Sequence, residues 1–210
     1  MYIYLIVFAI LVIFVGIPSL LVTRIIFRHE YNNNIKLDIQ IEEMKEAEKR
    51  ISDFLKESKL NTKASIWQIA EVLHINCGGM EILPNKQAYL SEPDGQGNMT
   101  VTFKDGLTYE SRIFNFAHEC AHIINKDPFP ATRPDGKNKP QIEQIADYTA
   151  AALLMPIDDV YEYLEKNKYR EISSKKRVTI IKALCKKYEV SEIIALRRIK
   201  EIYAIKQSET

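Results

Sequence analysis

Residues 112–125 read RIFNFAHECAHIIN, and the rest of the chain is best read outward from them. The stretch is apolar nearly all round, which places the helix it forms inside a domain. His118 and His122 stand at i and i+4, one turn apart on one face, where two imidazoles can share a divalent ion. Glu119 stands beside them, where a carboxylate can take a proton from an activated water. The bland alternative is a pair of core histidines satisfied by hydrogen bonds, with Glu119 on a solvated edge. Only four histidines occur in the chain, and two of them fall at metal-sharing spacing around a glutamate on an otherwise greasy helix. That pattern favours the metal site. Asn125, with Pro128 just beyond, ends the helix. Cys120, inside the motif, reads as a small apolar packing residue rather than a redox switch.

Two nitrogens do not hold a metal, so a third ligand is required, and the next helix is the place to look. Pro140 suits a first helical turn, and QIEQIADYTAAALLM runs from there to Pro156. Its few charged positions are Glu143 and Asp147, again at i and i+4. Zinc peptidases resembling thermolysin take their third ligand from a Glu about twenty residues after the second His. An acid one turn further on orients an imidazole. Glu143 and Asp147 are similar in both places. A set of two His and one Glu leaves a coordination position open, as catalytic sites do.

Composition sets the wider frame. Apolar residues make up 46% and charged residues 27% of 210, which describes a folded chain. A net charge of +1 gives the whole molecule no electrostatic reason to bind nucleic acid. Three cysteines without CxxC spacing argue against a disulfide framework and fit a reducing compartment. Between positions 166 and 206 there are 13 Lys and Arg against 4 Glu, so positive charge gathers late in the chain.

Residues 1–23, MYIYLIVFAILVIFVGIPSLLVT, carry no charged side chain. As a helix they would span roughly 34 Å, enough for a bilayer core of about 30 Å. They lack the basic start and small-residue cleavage site of a signal peptide. Arg24 and Arg28 follow the span and nothing basic precedes it, so the expectation is a single-pass cell-membrane anchor with the body of the protein in the cytoplasm.

Between anchor and motif, residues 37–60 place Leu37, Ile41, Met44, Ile51 and Leu55 on one narrow apolar stripe. The expectation is a helix packed on its own domain or standing as a stalk; a dimerising coiled coil is the other option. With Asn61-Thr62 as a candidate cap, residues 66–73 form a short amphipathic helix. Gly78-Gly79 reads as a break, followed by strand-like runs at 80–83, 87–90 and 99–103. Turn residues separate them at Pro84-Asn85, Asp94-Gly95 and Asp105-Gly106. The fold expected is α+β: mainly helical, with a small antiparallel sheet, behind an N-terminal transmembrane helix. The divisions expected are an anchor at 1–25, a helical linker or stalk at 26–61, the metal-bearing domain at 62–165 and a basic helical segment at 166–210. The run at 99–109 is expected to be an exposed edge where an extended peptide could add as a strand.

RIFNFAHECAHII and EQIADYTAAALLMP together resemble the ImmA/IrrE-type metallopeptidases, a bacterial and mobile-element family often paired with helix-turn-helix repressors. The segment YEVSEIIALRRIKEI (188–202) is similar to a late Val-Ser segment of that family. Thr149 stands where an aromatic is usual, and the membrane span is a feature many members lack. The resemblance implies a zincin-like domain with Zn²⁺ held by His118, His122 and Glu143, Glu119 as catalytic base, and Asp147 orienting an imidazole. It also implies a zinc endopeptidase cutting a regulatory protein, such as a repressor or anti-repressor target. The alternative is a non-catalytic regulator that binds a protein or DNA with the same fold; retention of Glu119 favours catalysis. An oxyanion donor is expected, with Tyr148 a candidate. Two C-terminal helices around Val190-Ser191, the second with Arg197-Arg198, could face DNA or anionic lipid. Packed helices are the commoner outcome, and nucleic acid is not expected as a partner.

Overall fold

The computed structural model describes residues 39–83, 87–128 and 140–209. The expected membrane span at 1–23 and the Pro84-Asn85 turn lie outside them. No helix among the described residues is long and apolar enough to cross a membrane. The elements are α1 (Ile41–Glu57), α2 (Ile66–Val72), β1 (Ile75–Glu81), β2 (Ala88–Leu90), β3 (Met99–Lys104), α3 (Tyr109–Asn125), α4 (Gln141–Leu154), α5 (Ile157–Lys166), α6 (Ser174–Tyr188) and α7 (Glu192–Ser208). This is α+β, mostly helical with one small sheet.

The sheet differs from the antiparallel one expected. Its order is β1-β3-β2, with β3 parallel to β1 and antiparallel to β2. The chain leaves β1, lays down β2 on the far side, turns, and returns as β3 between them. Asp94 fixes that turn: its Oδ1 accepts from the amides of Gln96 and Asn98, each at 2.8 Å, and Gly97 adopts φ +85°. β3 is therefore the middle strand and no free edge. Val101 (0% exposed) and Phe103 (3%) point into the core from it. Among the described strands the edges are β1 and β2.

Gly78-Gly79 does not break the chain either; both residues lie inside β1. Between Cys77 and Met80 the register against β3 slips by one residue, a bulge. A Cβ at Gly78 would stand 2.7 Å from Thr100 Cγ2 and 2.8 Å from the Val101 carbonyl, so only glycine lets the two backbones approach there. The cap of α2 also differs. Ser65, not Asn61 or Thr62, caps it through a reciprocal pair with Gln68.

The stripe on α1 is buried in the chain's own core: Met44 and Ala47 are inaccessible, and Ile51 and Leu55 nearly so. α1 packs on α3, α4 and α7, and the residues from α1 to α7 belong to one compact unit. Within it, Phe116 of α3 meets Trp67 and Phe103 at ring-centroid distances of 5.0 and 6.4 Å. On α3 and α4 the alanines 117, 121, 146 and 150 are all fully buried, and side chains that small let the two helices come close. That closeness sets the distance between the histidines and Glu143.

Candidate metal centre

Each part of the centre is set by helix geometry. Thr108 caps the start of α3, its Oγ1 accepting from the Ser111 amide. The i, i+4 spacing then brings the rings of His118 and His122 edge to face at 4.7 Å, with their Nε2 atoms 3.0 Å apart. α4 supplies Glu143, whose Oε2 lies 3.3 Å from His118 Nε2 and whose Oε1 lies 3.6 Å from His122 Nε2. All three side chains are buried, His118 and Glu143 at 1% exposure. Their ligand atoms fall within 4.8 Å of one another.

The other nitrogen of each ring is held by a carboxylate. Asp147 Oδ1 lies 2.9 Å from His118 Nδ1, as its place one turn after Glu143 suggested. Asp127 Oδ2 lies 2.7 Å from His122 Nδ1, and sequence reasoning missed it. Its signal is the helix end. Lys126 takes the left-handed conformation (φ 60°), the Lys126 amide bonds the Ile123 carbonyl, and the Asp127 amide bonds the His122 carbonyl. This double-bonded C-terminal reversal turns the chain back over the last turn, where Asp127 meets the ring of His122.

With Nδ1 of each ring beside a carboxylate, each imidazole turns its Nε2 inward. Two such nitrogens at 3.0 Å, joined by the oxygens of Glu143, form a buried, electron-rich cluster that a cation relieves. The donor set therefore fits a metal ion. Without one, the cluster holds a proton more readily. Burial pushes the His118 imidazolium toward deprotonation, but hydrogen bonds to Asp147 and Glu143 outweigh it and raise its pKa. A metal must displace that proton, so its binding weakens as pH falls.

The carboxylates that orient the rings give a prediction. Replacing Asp127 by Ala frees the His122 ring without touching a ligand atom. It is expected to weaken metal affinity by about 10- to 100-fold, read by competition with a chromophoric chelator. An unchanged affinity would mean that Asp127 does not orient the ring.

Glu119 lies half-buried on α3 between the two histidines and makes no hydrogen bond or ion pair with another described residue. Cys120 is fully buried, and burial followed by the nearby Glu119 charge pushes its thiol pKa far up, so it is inert packing. Tyr148 is not brought to the cluster. Its buried hydroxyl donates to Glu48 Oε1 at 2.7 Å and its ring lies beneath Arg198, so the candidate oxyanion donor is engaged elsewhere.

The Arg197-Arg198 pair of the basic tail turns inward, and other basic side chains of the tail find surface partners. Arg197 Nε donates to Glu201, and its Nη1 lies 3.7 Å from Asp147 Oδ2, behind the carboxylate that holds His118. Arg198 is fully buried, and Arg170 stacks on Tyr203. Lys187 pairs with Asp159, and Lys206 with Asp158. The Arg197-Arg198 pair thus faces the domain's interior.

With the geometry in view, one family model matches: peptidase M78, described as the IrrE N-terminal-like domain, over residues 79–200. That span is more than half of the chain and runs from β1 into α7, taking in all three clustered residues. A comparison with curated proteins finds no match.

Proposed function

The chain belongs to the M78 peptidase family of IrrE N-terminal-like domains, and from that premise we propose that it is a zinc-dependent endopeptidase. The observation that carries this reading is the convergence of His118, His122 and Glu143 beside a Glu119 left free of any described partner. Two imidazoles and one carboxylate suit Zn²⁺ and leave it a coordination position for substrate or water. Zn²⁺ held there supplies Lewis acidity toward the scissile carbonyl and the attacking water.

The chain's own residues do the rest. Asp147 and Asp127 keep the imidazoles in the tautomer that points Nε2 inward. Arg197 adds positive charge behind Asp147, its Nη1 3.7 Å from Oδ2. The Glu119 carboxylate accepts the proton of the attacking water and returns it to the departing amine. In this reading the hydrophobic N-terminus anchors the enzyme to the cell membrane with its catalytic domain in the cytoplasm. Its substrate is a cytoplasmic regulatory protein, such as a helix-turn-helix repressor, and the activity is regulated proteolysis.

The test is direct. Purified full-length chain, incubated with a cytoplasmic extract, is expected to create new protein N-termini. Chelation abolishes them and one equivalent of Zn²⁺ restores them. An extract with no new termini, or with termini that persist after chelation, rejects the reading.

A further inference from the structure

A second feature lies on another face of α3. Tyr109, Arg112, Ile113 and Phe116 stand at i, i+3, i+4 and i+7, so they share one face. At 100° per residue His118 and His122 lie on the other side of the helix. The first face borders a cavity of about 200 Å³, closed by Trp67 of α2, residues 77–80 of β1 and Phe103 of β3. Small-molecule and cofactor pockets run to ~300–1,000 Å³, so this one is sized for a side chain rather than a cofactor.

Three observations say what it accepts. Its walls are apolar, with Met80 52% and Trp67 45% exposed, so they offer an incoming side chain apolar surface. One guanidinium lines it: Arg112 Nε is buried without a hydrogen-bond partner, Arg112 makes no ion pair with a described residue, and its guanidinium carbon lies 5.9 Å from the Tyr109 ring centroid. Tyr109 shares the cavity wall, but its hydroxyl already donates to Glu189. Finally, β1 is an edge strand of seven residues with one charged side chain, Glu81. Among the described strands it has a neighbour on one side only, and an edge with so little charge is a template for another strand.

We propose that this site binds the carboxyl-terminal residue of an extended peptide. The peptide backbone adds to β1, its last, apolar side chain fills the cavity, and its terminal carboxylate takes the fork of Arg112. The charge complementarity selects the occupant, since an apolar group ending in a carboxylate satisfies both the walls and the one guanidinium that lines them. The open strand edge makes that group part of a peptide rather than a free fatty acid. The site stands apart from the metal cluster and does not depend on catalysis.

Trp67 is the only tryptophan in the chain and lines the cavity, so its fluorescence reports occupancy. Full-length chain is titrated with N-acetyl-Ala-Ala-Val-Leu, with the same peptide as its carboxyl-terminal amide, and with laurate. The expected result is a saturable Trp67 response to the acid, at least about tenfold weaker binding of the amide, and a similar loss in Arg112→Gln with partial rescue in Arg112→Lys. Equal binding of acid and amide, or a response to laurate alone, overturns the proposal. The acid–amide comparison uses the wild-type chain, so it decides even where Arg112→Gln folds poorly. Unchanged binding in Glu119→Gln is expected, which separates this site's outcome from that of the peptidase reading.

Discussion

Glu119→Gln is expected to lower peptide-bond turnover by about 10²- to 10⁴-fold, the usual contribution of a general base, or about 3–5 kcal/mol of barrier. The substitution keeps the shape of the side chain and removes only its capacity to accept a proton. Glu119 is not among the three clustered ligands, so metal content should stay at the wild-type level. Its neighbours offer no ready substitute: Cys120 is buried with a raised thiol pKa, and Asn115, one turn earlier, donates its amide to the Ser111 carbonyl. Michaelis constants should change little, because the lost interaction is made in the transition state. The measurement pairs zinc content with cleavage rate in the same preparation. A variant that loses zinc and activity together would make Glu119 a structural member of the centre; one that keeps its rate would place the base elsewhere.

How legible this was depends on the range of the interaction. The α3 histidines and the Glu143–Asp147 pair were readable because helix periodicity alone decides which residues share a face. The core stripe of α1 was readable for the same reason, although not what would cover it. The sheet was not. Parallel pairing of β1 with β3 is a contact between strands separated by a third, and no local pattern announces it. Gly78-Gly79 misled because glycine marks a break and a bulge equally well, and the decisive fact is that a Cβ at Gly78 would stand 2.7 Å from Thr100 on another strand. Asp127 was hidden by its position beyond the helix, since its role depends on Lys126 adopting a left-handed conformation that lysine seldom takes. Packed helices were the commoner reading for the Arg197-Arg198 pair, but what the two side chains meet was hidden, because Glu48, Asp147 and Met155 lie between 43 and 150 residues away in sequence.

That last pair carries the largest expected effect on stability. Arg198 has no accessible surface, donates from Nε to the Met155 carbonyl at 3.0 Å and from Nη2 to Glu48 Oε1 at 2.7 Å, and lies over the Tyr148 ring. It therefore ties α1, the end of α4 and α7 together. Burial works against its charge, and Glu48 with Tyr148 and Glu201 more than compensates, leaving it firmly protonated. Arg198→Met fills much of the same volume but leaves Glu48 with only the Tyr148 hydroxyl, and buried Glu201 with one guanidinium fewer nearby. Removing one partner of a buried pair typically costs 3–5 kcal/mol. The Glu48 side chain keeps 20% exposure, which relieves part of that, so about 3 kcal/mol is expected. For a chain of this size that corresponds to a fall of roughly 6–12 °C in Tm, read by thermal unfolding of the metal-free protein. Adding Glu48→Gln to Arg198→Met removes the stranded charge and should recover part of the loss, the coupling expected of residues in contact. A loss below about 1 kcal/mol in the single variant would mean that water already serves these groups and that the pair is no keystone. Because Arg197, the adjacent residue, lies against Asp147, a large loss should come with weaker metal binding. The C-terminal helix would then be part of the support of the metal centre, and the basic tail would be no separate module.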